Sequence, residues 1–175
     1  MADYITTYTG LHFCPAEPDA KLLDIRDIAH SLSMQCRANG HYKTFFSVAK
    51  HCILCAEEAE ARGYDRRVML ACLLHDATEA YIADVPKPVK VQLTTYNEIE
   101  DNLANVIYGH FLGGITEDEK KIVKEIDNIM LYNEFKALMG EEIGEKAELK
   151  SHPVFDFTDP AQTEAEYIEM FNRLK

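Results

Sequence analysis

The sequence has little basic charge, no tryptophan, no long apolar run and no low-complexity tract. Its 18 lysines and arginines face 30 aspartates and glutamates, a formal charge of −12. Affinity for a nucleic-acid polymer comes largely from basic residues that neutralise phosphates, so a general nucleic-acid binder is excluded. A small phosphorylated substrate is not, because the field at a site is set by its nearest charges; one metal ion and a few local cations hold a phosphate on an acidic protein. No stretch is apolar for long enough to span a bilayer, and the opening MADYITTYTG has neither a basic start nor an apolar core. A cytoplasmic protein without a membrane partner is expected. The cysteines, at positions 14, 36, 52, 55 and 72, are odd in number, so unpaired thiols are expected rather than a disulfide framework.

What is present is the composition of an ordinary folded domain, 47% hydrophobic and 27% charged over 175 residues. A chain of this length buries roughly 70% of the surface its unfolded form exposes, enough for a pocket with dry walls. Residues 1–23 carry β-branched and aromatic residues around a Thr9-Gly10 turn signal, which predicts a short hairpin or extended arm. From Asp24 the pattern becomes helical. Ile25, Ile28, Ala29 and Leu32 fall at helix spacing behind Asp24 as N-cap, giving a first helix over about 24–37. A second runs from Ser47 to a C-terminal glycine at Gly63, and Asp65 caps a third that carries the stretch LLHDATEAY. Pro86 and Pro88 end it and make DVPKP a loop.

A fourth helix over about 95–112 places Ile99, Leu103, Val106, Ile107 and Phe111 on one face and stops at Gly113-Gly114. Thr116 and Glu119 have the form of a capping box. Behind them Ile122, Val123, Ile126, Ile129, Met130 and Phe135 trace one stripe to about Met139. After a polar linker over 140–158, Asp159-Pro160 starts a last helix with Ala165, Ile168 and Phe171 inward. No repeat or domain linker interrupts the chain. The expectation is a single all-α domain over residues 1–175, a bundle of about six helices: an N-terminal arm (1–23), a helical core (24–139) and a C-terminal helix (159–175).

Polar groups on apolar helix faces are costly unless something pairs with them. His75 and Asp76 follow Met69, Leu70, Ala71, Cys72, Leu73 and Leu74; His51 interrupts SVAKHCILC and Asp127 interrupts KEIDNIM. Neighbouring helical side chains diverge by about 100°, yet both His75 and Asp76 can reach an ion at the helix's shoulder. His51, His75, Asp76 and Asp127 would form a mixed nitrogen and oxygen set from three helices. Such a set suits one divalent transition metal ion, Mn²⁺, Fe²⁺, Co²⁺, Ni²⁺ or Zn²⁺, better than calcium. Cys52 and Cys55 form a CxxC inside a helix, without a preceding strand or a second pair. They read as buried small hydrophobes, with Cys55 one turn from His51 as a possible fifth ligand.

The order H, then HD, then D resembles the HD-domain metal-dependent phosphohydrolases, and the resemblance covers most of the chain from Asp24 to about Phe135. DIAHSLSMQCRANGHYKTFFSVAKH and LLHDATEAYIADVPKPVK are similar to the branch related to bacterial 5′-deoxynucleotidases. A bare HD pair is common by chance. Here His51 precedes it by 24 residues, and Glu79, Asp84, the PKPVK turn and the mid-helix Asp127 accompany it. The resemblance implies an HD-type helical fold, His51, His75, Asp76 and Asp127 as metal ligands, and Glu79 and Asp84 as the acids that handle water and leaving group. It also implies removal of the 5′-phosphate of a nucleoside monophosphate, and the homodimer that relatives often form.

For the phosphate, cations cluster at Arg37, His41 and Lys43 before the second helix and at Lys87 and Lys90 after Asp84. Two departures stand out. His30 occupies the place of a phosphate-binding arginine, and the tryptophan that relatives set near the base is missing; a residue such as Phe45 or Tyr81 would have to stack instead. Two other readings stay open: a hydrolase of nucleoside di- or triphosphates or of a signalling nucleotide, and a metal-bearing nucleotide sensor without turnover. Glu79 and Asp84 weigh against the second, since a binder needs no acids beside a water-activating site.

Overall fold

Side-chain caps open most of the longer helices. The computed structural model describes residues 3–157 and 159–175. Asp24 accepts from the Arg26 N–H to open α1 (Ile25–Met34), Ser47 from Lys50 to open α2 (Val48–Ala61), and Asp65 from Val68 to open α3 (Arg66–Leu73). After two one-turn helices, α4 (Glu79–Ile82) and α5 (Lys87–Lys90), come α6 (Thr94–Leu112) and α7 (Glu117–Leu138). The predicted capping box is formed, with Thr116 Oγ1 accepting from the Glu119 N–H and Glu119 from the Thr116 N–H. Asp159 caps α8 (Pro160–Leu174), with Pro160 in its first turn. Gly63 and Gly113 take the positive φ values of 80° and 71° that terminate α2 and α6.

The N-terminal arm is a hairpin in which β1 (Ile5–Thr6) pairs antiparallel with β2 (His12–Phe13) around a turn closed by the Gly10 N–H on the Thr7 carbonyl. Thr9 ties it to α1, donating through its N–H and hydroxyl to the two oxygens of buried Asp27 at 2.6 and 2.9 Å. In the bundle, α2 and α3 pack on each other at the centre, α1 and α8 cover one side, and α7 and α6 the other. A single buried cluster runs from Phe13 to Leu174. Fully burying each of its large apolar side chains contributes roughly 1.5–3 kcal/mol.

Three expectations need correction. The loop at DVPKP contains α5, because Pro88 lies in the first turn, where a missing N–H costs nothing. Ala165 is exposed, and α8 instead buries Thr163, Tyr167, Met170, Phe171 and Leu174 with Ile168 half-buried. The third helix does not run through His75 and Asp76: it ends at Leu73 and the chain winds through turns to Thr78.

That break has a visible cause. The carbonyls of Ala71, Cys72 and Leu73, which would continue the helix, are taken by the Tyr108 hydroxyl (3.4 Å), His75 Nδ1 (2.7 Å) and the Tyr167 hydroxyl (2.7 Å). With those acceptors occupied, the backbone tightens into i→i+3 bonds, Ala77 to Leu74, Glu79 to Asp76 and Tyr81 to Thr78.

Candidate metal and active site

The tightened turn lets two adjacent side chains converge where a regular helix would splay them. His75 Nε2 lies 3.2 Å from Asp76 Oδ2, His51 Nε2 from α2 lies 3.2 Å from His75 Nε2, and Asp127 Oδ1 from α7 lies 3.2 Å from His51 Nε2 and 3.8 Å from His75 Nε2. His51 Nε2 to Asp76 Oδ2 is 3.8 Å. Donor atoms each about 2.0–2.2 Å from one ion stand about 3–4 Å from each other, which is the spacing found here.

The far nitrogens fix the tautomers. His75 Nδ1 faces the Cys72 carbonyl, which can only accept, so it carries the hydrogen. His51 Nδ1 donates to Glu134 Oε1 at 2.6 Å. Both Nε2 lone pairs therefore meet each other and two carboxylates, an arrangement that repels itself unless a cation sits among them.

The titration directions agree. Burial opposes charge on His75, but Asp76 and Cys52 outweigh it and push its pKa well up. Burial would raise the carboxyls of Asp76 and Asp127, yet for Asp76 the charge of His75, and for Asp127 the close approach of His51 and His75, hold them far below the usual range. The cluster binds positive charge, and a proton on His75 would compete with a metal for it.

A ring of residues orients these four. Glu134 is wholly buried on α7 and accepts from His51, from Arg37 Nε at 3.2 Å and from the Tyr42 hydroxyl at 3.4 Å. Burial would raise its carboxyl, but His51 and Arg37 keep it low. Arg37 also reaches Asp76 Oδ2 through Nη1 at 3.3 Å, just ahead of the left-handed Ala38 and Asn39. Lys124 Nζ is 2.6 Å from Asp127 Oδ2.

Glu134, Tyr42, Tyr108 and Tyr167 were missed in the sequence. One signal existed: Glu134 lies seven residues beyond Asp127, two helical turns along the same face. Cys55 Sγ is 3.5 Å from His51 Nε2 and 4.0 Å from Nδ1. With His51 and His75 it forms a group of ligand atoms within 4.8 Å of one another that could hold a metal ion, as Cys52 does with His75 and Asp76. Burial pushes the Cys52 and Cys55 thiols up, and all five cysteines are unbridged.

Glu79 opens α4 and is 6% exposed, and its Oε2 has no hydrogen-bond partner among the described residues. Burial first, then Asp76 and Asp84, raise its carboxyl well above the usual range. Burial likewise raises Asp84. Beside His75, Asp76 and Asp127 opens a cavity of about 560 Å³, lined also by Lys90, Lys120 and Lys124 and by Glu100, Asp101 and Asn105.

The predicted phosphate residues are dispersed. Arg37 stands in the wall of the metal set, with Lys43 and Phe45 in an adjoining groove that Arg37 also lines. His41 is exposed just beyond the turn of Arg37–Gly40. Lys87 lines a groove with Glu125 and Asn128 of α7. His30 lines a groove under the hairpin, stacked on Tyr8 at 3.8 Å and bonded to Glu164 at 2.9 Å. Tyr81 is buried against Phe13 at 4.2 Å, so its ring is not open to a base.

No helix among the described residues is long and apolar enough to cross a membrane. Among curated proteins, the chain is 37% identical over 131 residues to the uncharacterized protein YfdR of Escherichia coli (strain K12), covering 75% of this chain and 70% of that one. It is 32% identical over 152 residues to an uncharacterized protein of Rhodobacter capsulatus, covering 82% of this chain and 74% of that one. The family model described as "HD domain" matches residues 40–175, a span that includes His51, His75, Asp76 and Asp127. Ligand spacing, helical architecture and family match agree: the chain belongs to the HD-domain family, which points to a metal-dependent hydrolase.

Proposed function

We propose that this protein is a phosphohydrolase that removes the 5′-phosphate of nucleoside monophosphates, with His51, His75, Asp76 and Asp127 holding one divalent transition metal ion. The observation that carries the reading is the convergence of two bare Nε2 atoms and two carboxylates within 3.2–3.8 Å at the edge of a cavity of about 560 Å³. That volume lies in the range of small-molecule sites. When bound, such an ion supplies Lewis acidity to a phosphoryl oxygen and to water.

The chain's own residues do the rest. Glu79, held out of water with one unbonded oxygen, takes the proton of the attacking water. Its raised pKa brings that exchange closer to the operating range. Asp84 protonates the departing alkoxide or orients the sugar. Arg37 fixes the Asp76 carboxylate, and Lys90, Lys120 and Lys124 stand at the cavity wall, each paired with a carboxylate.

A second reading within the same family is a substrate with more than one phosphate, which would have to draw Lys90, Lys120 and Lys124 away from the carboxylates they now pair with. Products separate the two: orthophosphate and nucleoside from a monophosphate, inorganic tripolyphosphate or pyrophosphate from longer substrates. The test is phosphate release from ribo- and deoxyribonucleoside mono-, di- and triphosphates by EDTA-treated protein resupplied with Mn²⁺, Co²⁺, Zn²⁺ or Mg²⁺. Monophosphate turnover restored by a transition metal is the expected result. Hydrolysis unaffected by chelation would end the metal-dependent reading, and turnover limited to triphosphates would replace the first substrate by the second.

A further inference from the structure

Ala83 separates α4 from Asp84 and adopts φ 66°, ψ 157°, a backbone region used almost only by glycine. A side chain there is strained, and such strain persists only where surrounding contacts over-determine the conformation. The contacts are specific. The Ala83 N–H donates to the Glu79 carbonyl at 2.9 Å, and the Tyr96 hydroxyl of α6 donates to the Ala83 carbonyl at 2.8 Å. From the other side comes Gln35, at the C-terminus of α1. Its Nε2 donates to the Glu79 carbonyl at 3.0 Å, while its Oε1 accepts from the Asp84 N–H at 3.4 Å. One amide thus holds the main chain at both acids.

Gln35 is itself fixed. Its Nε2 also donates to Ser31 Oγ at 3.0 Å, and that hydroxyl donates to the Ala80 carbonyl at 3.1 Å. Ser31 and Gln35 lie one turn apart on α1, so a rigid helix presents an edge of polar atoms to the segment that carries Glu79 and Asp84.

We infer that Gln35 and Tyr96 are positioning residues: they hold Ala83 in its glycine-like conformation and thereby fix the backbone that carries Glu79 and Asp84, and with it the placement of the two acids relative to each other. Neither touches the metal ligands through a hydrogen bond. The clamp therefore acts on turnover and leaves metal binding alone. Its kinetic consequence rests on the phosphohydrolase reading above; its backbone consequence does not.

The strain supplies the test. Gln35→Leu removes donor and acceptor together, and Ala83 should relax toward negative φ. A misplacement of this kind is expected to lower kcat about 10- to 100-fold. KM should stay within about threefold and metal content at the wild-type level, and the Asp84 amide should exchange with solvent at least about tenfold faster. Glycine adopts the same φ and ψ without penalty, so adding Ala83→Gly to Gln35→Leu should recover about fivefold or more of the lost kcat.

A merely structural role for Gln35 would not predict that rescue. The inference is overturned if Gln35→Leu keeps kcat within twofold, loses metal in step with activity, or gains nothing from Ala83→Gly. Should Gln35→Leu fail to fold, Tyr96→Phe deletes only the hydroxyl on Ala83 and should lower kcat about three- to tenfold by the same route. A wild-type protein that hydrolysed nothing would remove the phosphohydrolase reading, and Asp84 amide exchange in the same variants would still decide the clamp.

Discussion

Glu58 and Glu79 are both buried glutamates on helices of the same core, and they are opposites. Glu58, in α2, accepts from the N–H groups of Lys150 and Ser151, from the Ser151 hydroxyl at 2.5 Å and from Arg62 Nε at 2.7 Å. Those bonds outweigh the cost of burial and lower its pKa. Glu79 keeps one oxygen without a partner, beside two other acids, and its pKa rises. Burial is common to both. What separates an anchor from a reactive acid is whether donors surround the carboxylate, because a buried group left unpaired is retained at a cost that packing alone does not explain.

Substitutions can break that contrast. Glu79→Gln should lower kcat by roughly 10²- to 10⁴-fold while metal content and fold stay intact; full turnover in this variant would remove Glu79 from the chemistry. Glu58→Ala should do the reverse, leaving Arg62 and two backbone donors without their acceptor. A loss of about 3 kcal/mol is expected, seen as a Tm lower by roughly 6–12 °C, with per-molecule activity retained at low temperature. Glu134→Gln lies between the two. Glu134 is buried like Glu58 but serves the site, and its loss should weaken metal affinity about 10- to 100-fold, measured by competition with a chelator.

The smallest expected effect is on pH dependence in metal-free protein. The lowered pKa of Glu58 means that its stabilisation is present above the ordinary carboxylate range and is lost as pH falls through its folded value. Glu79 has the opposite sign. Its raised pKa favours the protonated form in the fold, so stability declines as pH rises from the ordinary range through its folded value. Thermal melts against pH in EDTA should show Glu58→Ala flattening the acid limb and Glu79→Gln flattening the decline above the ordinary carboxylate range. Identical profiles for both variants would dissolve the distinction.

Legibility in the sequence followed the range of the interaction. Asp24, Ser47, Asp65, the Thr116 and Glu119 pair and Asp159 were readable as caps because a cap's partner lies two or three residues away. His51, His75, Asp76 and Asp127 stood out as polar residues on apolar stripes, and the structure brings them together. The break after Leu73 was invisible: the groups that capture the Ala71 and Leu73 carbonyls come from Tyr108 and Tyr167, on other helices. Glu134 was hidden for the same reason, since a glutamate late in a charged helix reads as solvated until α2 and the Arg37 turn are placed against it. Ala165 carried too small an apolar signal to fix a face.

The carboxylate of Glu58 has one more consequence, in chain entropy. Between Leu138 and Pro160 the backbone forms no helix or strand among its described residues, and the pin at Lys150 and Ser151 divides that crossing into two shorter loops. Loop-closure cost grows only with the logarithm of length, so added residues ahead of the pin cost a fraction of a kcal/mol, about 0.6 kcal/mol for each doubling. The pin also keeps that slack from reaching α8, whose Tyr167 hydroxyl must stay on the Leu73 carbonyl for the turn at His75 to form. Residues 141–146 are accordingly where this chain can change length without loosening its metal-binding turn.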